Sequence, residues 1–425
     1  MERCDDKLEI SVPFGKHQLN ANIPNLILTL RPKDVPPLKN PVEATRKALK
    51  NPIGTPPLKD LAKGRKDAVI VINDITRPYP SKMLVTEIIR ELNEVGIDDK
   101  KIILLVATGN HRANTKVELE NMLGTDIVSR IKVYNHDALN DKNLTYIGTT
   151  KRKIPIYINT LFVQSSLKIL TGLIASHHSA GFGGGRKSIL PGISGIKTLH
   201  IHHSLPIRPY HPSMGWIDGN PFHEESLEAA RLANVDFIVN TVDNENKEMV
   251  GVFAGDVDKA HKAGTKLSDY IWRVKIPEKA DVVITSPGGY PRDFDLHQTQ
   301  KALSAAEMCC KPGGVIILVA EASDGIGKFG NWLKNAKTPG EVIERFKKKG
   351  FTREASVKAF MYARALIKHK VIIVTKGVTQ EELRNMFFIP SLDIQEAIKK
   401  AIDNMGKNAK FIFIPYASDI IPDSN

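Results

Sequence analysis

Between Thr171 and His203 the chain reads TGLIASHHSAGFGGGRKSILPGISGIKTLHIHH, which brings glycines, Lys187 and five histidines into one short segment. Gly181, Gly183, Gly184 and Gly185 carry no Cβ, so the backbone there can turn sharply and approach a ligand closely. Lys187 can act as a nucleophilic amine or as a point of covalent cofactor attachment. His177, ten residues before it, and His203, sixteen after it, offer imidazoles as acid/base groups or as ligands for nickel, copper or zinc. Residues Gly181 to Ser188 also follow the phosphate-loop pattern G-x-x-x-x-G-K-[ST], except that Arg186 stands where the second glycine belongs. A side chain at that tight point is expected to obstruct the cradle of N–H groups. Neither C-x-x-C nor H-E-x-x-H occurs, so no all-protein zinc site is signalled.

The elements that position these residues read as α/β. Ala68 to Ile72 and Ile102 to Val106 are continuous apolar runs, separated by a helical pattern over Lys82 to Val95, which predicts a parallel sheet covered on both faces. Ligands of such sheets bind beyond the carboxyl ends of the strands. At the first strand end stand Asp74 and Arg77; the guanidinium could hold a carboxylate or phosphate with Asp74 steadying it, or the two could be a loop salt bridge with a helix cap. At the second, the loop Ala107 to Arg112 carries His111, suited to proton transfer or to a capping or surface role. An N-terminal hairpin is expected over Leu8 to Ile23, a proline-rich surface stretch over Arg31 to Lys59 with a short helix at Pro41 to Lys50, and further strands at Phe237 to Val242, Asp281 to Ser286, Val315 to Ala320, Val371 to Thr375 and Lys410 to Pro415. After the Asp281 strand, Gln298 and Lys301 are three apart, on one face of a helix near its positive end, where an amide and an ammonium could bind a carboxylate or simply form an exposed first turn.

The chain, at 425 residues, is too long for one ordinary core. The expected fold is two α/β domains, each built on a mostly parallel sheet with flanking helices and with the active site in the cleft between them. Their bounds are 1–275, with 408–425 available to complete it, and 279–405, joined by a hinge near Lys275 to Glu278. No apolar run reaches membrane-spanning length, and the opening MERCDD lacks a signal-peptide layout, so the expected location is cytoplasmic. Three cysteines cannot make a disulfide framework, and Cys309 and Cys310 are expected to be reduced and structural. The formal charge of +13 is spread over many segments, and its densest cluster, Arg345 to Lys349, ends a predicted helix. It is read as steering small anions rather than as nucleic-acid binding.

The segment from His177 to His203 resembles the nickel-dependent lactate racemase family, whose motif runs histidine, AG-aromatic-x-GG-x-K, then a later metal-binding histidine. The resemblance covers nearly the full length. It implies nickel in a nickel-pincer nucleotide, a pyridinium-3-thioamide-5-thiocarboxylate mononucleotide attached covalently at Lys187, with His203 as the protein ligand and His200 or His202 as substitutes. It implies His111 and His177 as two acid/base residues on opposite sides of the substrate. Asp74, Arg77, Gly184 and Gly185 become cofactor contacts, and Arg77, Gln298, Lys301 and His297 substrate contacts. His297 stands where the family has tyrosine, and the segment Ala355 to Arg364 lacks the family's active-site tryptophan.

The chemistry so implied is inversion at C2 of a small anionic 2-hydroxy acid by reversible hydride transfer through a 2-oxo acid, either racemisation or C2 epimerisation. Cofactor-biosynthesis enzymes would be the partners for maturation; the oligomeric state stays open. The two departures imply a larger or more hydroxylated substrate than lactate. The alternative is a phosphate- or nucleotide-binding protein that uses Gly181 to Ser188 without nickel chemistry.

Overall fold

The computed structural model describes residues 8–423; Cys4 and the opening MERCDD lie outside them. A first six-stranded sheet runs, edge to edge, Met249–Gly255, Phe237–Asp243, Leu167–Leu173, Ala68–Asn73, Ile102–Ala107 and Lys132–Asn135. All neighbours are parallel except the Phe237–Asp243 and Met249–Gly255 pair. Val69, Ile70, Val71 and Ile72 are fully buried, as an interior strand covered on both faces requires. On one face helix Ser81–Asn93 contributes Leu84, Val85, Ile88 and Leu92 to the core, and on the other Ile156, Ile158, Ile189 and Ala260 close it.

The second six-stranded sheet is parallel throughout and runs Ile389–Ser391, Lys370–Val374, Cys310–Val319, Ala280–Thr285, Phe411–Ile414 and Leu26–Thr29. Helices Leu296–Cys309 and Ser356–Lys368 cover one face. The other is covered by helix Ile394–Met405 and by the hairpin Leu8–Phe14/His17–Ile23, whose Ile10, Val12, Phe14, Ala21 and Ile23 pack on Val282, Ile284, Ile317 and Phe413. This corrects the expectation that 408–425 completes the first unit. Phe411–Ile414 hydrogen-bonds between Ala280–Thr285 and Leu26–Thr29, so both ends of the chain belong to the second sheet. Only the last strand, Ile421–Asp423, returns toward the first unit, pairing with Arg273–Lys275 at the expected hinge.

Each sheet changes direction of strand succession once. In the first, the change lies between Ala68–Asn73 and Leu167–Leu173; in the second, between Ala280–Thr285 and Phe411–Ile414. Crevices outside the strand ends at such points are where open α/β sheets take ligands. The strand ends there carry Asp74 and Arg77, the glycine loop, and the stretch leading into Gln298 and Lys301. Cys309 and Cys310 are buried free thiols, and burial pushes the Cys310 thiol up to about 12, which leaves it unreactive. Among the described residues no helix is long and apolar enough to cross a membrane.

Candidate active site

The loop after Ala68–Asn73 wraps around the Asp74 carboxylate. Its Oδ1 accepts hydrogen bonds from the Thr76 backbone N–H (3.2 Å) and hydroxyl (2.7 Å), and its Oδ2 lies 2.5 Å from His111 Nδ1. Burial pushes the Asp74 carboxyl up, but His111, Arg77 and Thr76 outweigh it and hold it below its usual range. An ionised Asp74 fixes the ring hydrogen of His111 on Nδ1 and leaves Nε2 with a free lone pair. Arg77, half exposed, donates to the Thr76 hydroxyl (2.9 Å) and stands 3.7 Å from Asp74. Asp74 therefore steadies His111 more closely than it steadies Arg77.

The glycine loop is shaped from behind by Arg186. Its fully buried guanidinium donates to the carbonyls of Ala180 and Phe182 (both 2.9 Å), Gly183 (3.2 Å) and Gly184 (3.3 Å), and to His261 Nε2 (2.6 Å). Arg186 thus does not obstruct the loop but gathers its carbonyls inward. The loop runs into a 3-10 turn, Gly185–Ser188, instead of the α-helix that a nucleotide phosphate loop opens. At Gly181, φ is +72° and a Cβ would fall 2.1 Å from the Trp216 carbonyl oxygen, so only glycine fits. Gly184 and Gly185 also have positive φ, but their Cβ sides face Ile174, Asn240 and His261. Their freedom serves the fold of the loop.

Lys187 sits on that 3-10 turn, and its amine makes no hydrogen bond or ion pair among the described residues. Burial first, then Arg77, Arg186, Lys301 and Arg208, pull it well below the usual lysine value, which favours the neutral amine. His177 Nδ1 accepts from the backbone N–H groups of Ser179 and Ala180, both at 3.1 Å, and its ring stacks on His178 with centroids 4.3 Å apart. With Nδ1 occupied as an acceptor, the neutral ring carries its hydrogen on Nε2. Burial, Lys187 and His178 hold His177 well below its ordinary value.

Of the three histidines on and after helix Ile196–His202, two are engaged elsewhere. His200 Nδ1 lies 2.8 Å from the Phe351 carbonyl in the second unit. His202 is buried with Nε2 3.2 Å from the Phe222 carbonyl, which places its hydrogen there and leaves Nδ1 as an acceptor. His203 Nδ1, 3.3 Å from that atom, therefore donates to it, and His203 Nε2 is left with an open lone pair. Burial, His202, Arg208 and Lys187 keep His203 neutral. Among the described residues no three His, Cys, Asp or Glu converge to hold a metal on their own.

Helix Leu296–Cys309 starts at Asp295, whose carboxylate accepts from Gln298 N at 2.7 Å. Burial and Arg77, together with Arg292 and Lys247 and against Asp419, pull Lys301 down to about 8. Burial, then Lys358, His111 and Lys301, lower His297 to about 3. Lys301 in turn acts on His177 and Lys187, so this first turn lies within the electrostatic reach of the first unit's loops. Gln298 shares that turn.

Three residues escaped sequence reasoning. Arg208 is buried, donates to the Ser179 hydroxyl (2.5 Å) and the His203 carbonyl (3.0 Å), and thereby ties the two histidine loops together. Nothing in its sequence surroundings, between two prolines, marks it. His178 was passed over although it adjoins His177. Lys358, on helix Ser356–Lys368, donates to Gln300 Oε1 at 3.1 Å; a lone lysine beside Val357, Phe360 and Met361 was its available signal.

The chain is similar to known proteins over nearly its full length. A model of the lactate racemase N-terminal domain matches residues 14–214, and one of the lactate racemase C-terminal domain matches residues 276–421. The lactate racemase of Thermoanaerobacterium thermosaccharolyticum is 36% identical over 421 residues, covering 97% of this chain and 98% of that protein. That of Lactiplantibacillus plantarum is 37% identical over 388 residues, 89% of this chain and 90% of that protein. The solved lactate racemase apoprotein from T. thermosaccharolyticum superposes with a TM-score of 0.90 over 98% of this chain and 100% of its own. A Thermotoga maritima protein, 19% identical, shares the fold with a TM-score of 0.66 over 92% of this chain and 100% of its own. The matches span both sheets and the loops that carry Asp74, His111, Lys187, His203, Gln298 and Lys301, and on them the chain belongs to the lactate racemase family and is an isomerase.

Proposed function

We propose that the protein inverts C2 of a small 2-hydroxy acid in the cleft between its two units, using a nickel-pincer nucleotide attached through Lys187. The observation that carries this reading is the state of Lys187. It is a buried, unpaired amine on a braced loop, surrounded by cations that disfavour its charged form and with the open Nε2 of His203 in its electrostatic neighbourhood. A neutral amine is the form that bonds covalently to a cofactor carboxyl. A single imidazole with its second nitrogen engaged suits a metal that takes its other ligands from a bound group. Racemisation of lactate by the two relatives supports the reaction class.

When bound, the nucleotide supplies reversible acceptance of the C2 hydrogen together with its electron pair. The chain supplies the rest. Arg77, Gln298 and Lys301 orient the substrate carboxylate from both sides of the cleft. His111, held by Asp74, takes the hydroxyl proton at Nε2, and the Asp74 carboxylate stabilises the imidazolium that results. His177 presents an Nε2–H donor on the other side; to take up a proton itself it has to move its ring hydrogen to Nδ1 and release the Ser179 and Ala180 N–H groups. For inversion, the planar 2-oxo acid would have to present its opposite face before it regains its hydrogen, with a protonated histidine, His111 or His177, returning the hydroxyl proton.

The test is mass spectrometry of the Lys187 peptide after production alongside cofactor-making enzymes, with a chiral assay over a panel of 2-hydroxy acids. A mass addition at Lys187 and nickel-dependent inversion are expected, both lost in Lys187→Ala. Full inversion activity in Lys187→Ala refutes the reading.

A further inference from the structure

The site holds more positive charge than one carboxylate can neutralise. Arg77, Lys187, Arg208, Lys301 and Lys358 come from five separate places in the chain, yet Lys301, Arg208 and Arg77 each act on Lys358, and Arg77, Lys301 and Arg208 each act on Lys187. Among the described residues, no carboxylate lies within ion-pair distance of Lys187, Arg208, Lys301 or Lys358; Arg77 alone has one, Asp74 at 3.7 Å. The nearby acids are committed. Asp74 holds His111 and Thr76, Asp419 pairs with Lys247 and Arg292, and Asp295 caps the helix that carries Lys301. Lys187 is spent on the cofactor, the substrate carboxylate answers Arg77 and Lys301, and Arg208 is held by the Ser179 hydroxyl and the His203 carbonyl. Lys358 remains without an anion.

Its ammonium is left with donor capacity that the chain does not use. The ammonium has three donors, and the one hydrogen bond it makes goes to a neutral amide, Gln300 Oε1 at 3.1 Å. That amide is itself fixed by donation to the Ser304 hydroxyl at 2.7 Å, so the lysine is aimed by a braced partner. His297, neutral, is close enough to feel both Lys358 and His111.

We propose that Lys358 is a second anion subsite, and that the substrate is a 2-hydroxy acid bearing a second carboxylate. The inference rests on the 2-hydroxy acid reading above and names the substrate class within it. Malate and 2-hydroxybutyrate are suitable probes, having the same four-carbon chain with a carboxylate or a methyl at its far end. With cofactor-loaded protein, malate is expected to be inverted with a kcat/KM about 10- to 100-fold above 2-hydroxybutyrate, the worth of one charged hydrogen bond. In Lys358→Met that preference should vanish through a rise in KM for malate, with 2-hydroxybutyrate unaffected; Lys358→Arg should restore most of it. Calorimetric binding of the two acids to protein prepared without cofactor gives a second readout, expected to show the same preference and the same loss. Equal handling of both acids by the unaltered protein, or an equal fall for both in Lys358→Met, overturns the proposal. So does a fall in cofactor loading with the preference intact, which would assign Lys358 to the nucleotide phosphate. If neither acid is inverted, the proposed function fails, and the binding preference still decides the subsite.

Discussion

Asp74→Asn is the sharpest probe of how the site sets its base. Thr76 donates to Asp74 Oδ1 through an obligatory backbone N–H as well as through its hydroxyl. An asparagine must therefore place its amide oxygen at Oδ1, which turns its NH2 group toward His111 Nδ1, 2.5 Å from the other oxygen in the unaltered site. His111 Nδ1 then has to accept, the ring hydrogen moves to Nε2, and the lone pair that takes the hydroxyl proton is gone. The change is nearly isosteric, so the loss is one of tautomer and charge, not of packing. Removal of a positioned general base costs about 100- to 10,000-fold in rate, or about 3 to 5 kcal/mol of barrier. The assay is kcat for inversion by chiral chromatography, normalised to the fraction of Lys187 peptide carrying the cofactor mass. A fall in kcat at unchanged loading is expected. A variant within about threefold of the original kcat would refute the assignment of His111 Nε2 as base.

Two further perturbations test the frame around the site. Arg364 and Glu307 form a pair that is 1% and 3% exposed, with contacts of 2.9 and 2.5 Å, and Arg364 also donates to the Tyr210 carbonyl of the first unit at 2.9 Å. Arg364→Leu should cost about 3 to 5 kcal/mol in urea unfolding by stranding the Glu307 charge, and adding Glu307→Leu should recover most of it; a double variant less stable than the single one contradicts this. Burial lowers His136 to about 4 and His202 to about 3, so both stay neutral in the folded chain while the unfolded chain takes up protons near pH 6.5. Stability is thus complete above that pH and declines as pH falls toward 4, by at most about 1.4 kcal/mol per pH unit for each histidine. Thermal unfolding that is no lower at about pH 5 than at about pH 7.5 would count against the neutral state of these rings.

The regular elements were legible because their signals are local. The strands at Ala68, Ile102, Phe237 and Lys370 are runs rich in apolar residues with both faces covered. Strand partnership was not legible. Phe411 to Ile414 reads like any other buried strand, and only its neighbours reveal which sheet it joins. The loop carrying Lys187 could be found from its composition, but the part played by Arg186 could not. A buried guanidinium facing four carbonyls depends on backbone directions that residue types do not encode. Similarly, that His203 keeps an open ring nitrogen while His200 and His202 are engaged follows from what the Phe351 and Phe222 carbonyls accept, contacts made across many residues of chain. Lys358 and Arg208 escaped because each gains its meaning from charges on other segments.

The weaving of Leu26–Thr29 into the edge of the second sheet, with the preceding hairpin laid over its face, has a practical consequence for anyone dissecting or recombining these proteins. A fragment cut at residue 276 would emerge with Phe411–Ile414 as a raw border and with Val282, Ile284 and Phe413 stripped of their cover, a surface prone to clumping. Chimeras between relatives should carry the first thirty or so residues along with the carboxyl-terminal half. During synthesis, Leu26–Thr29 must wait for its strand neighbour until almost the whole polypeptide has left the ribosome.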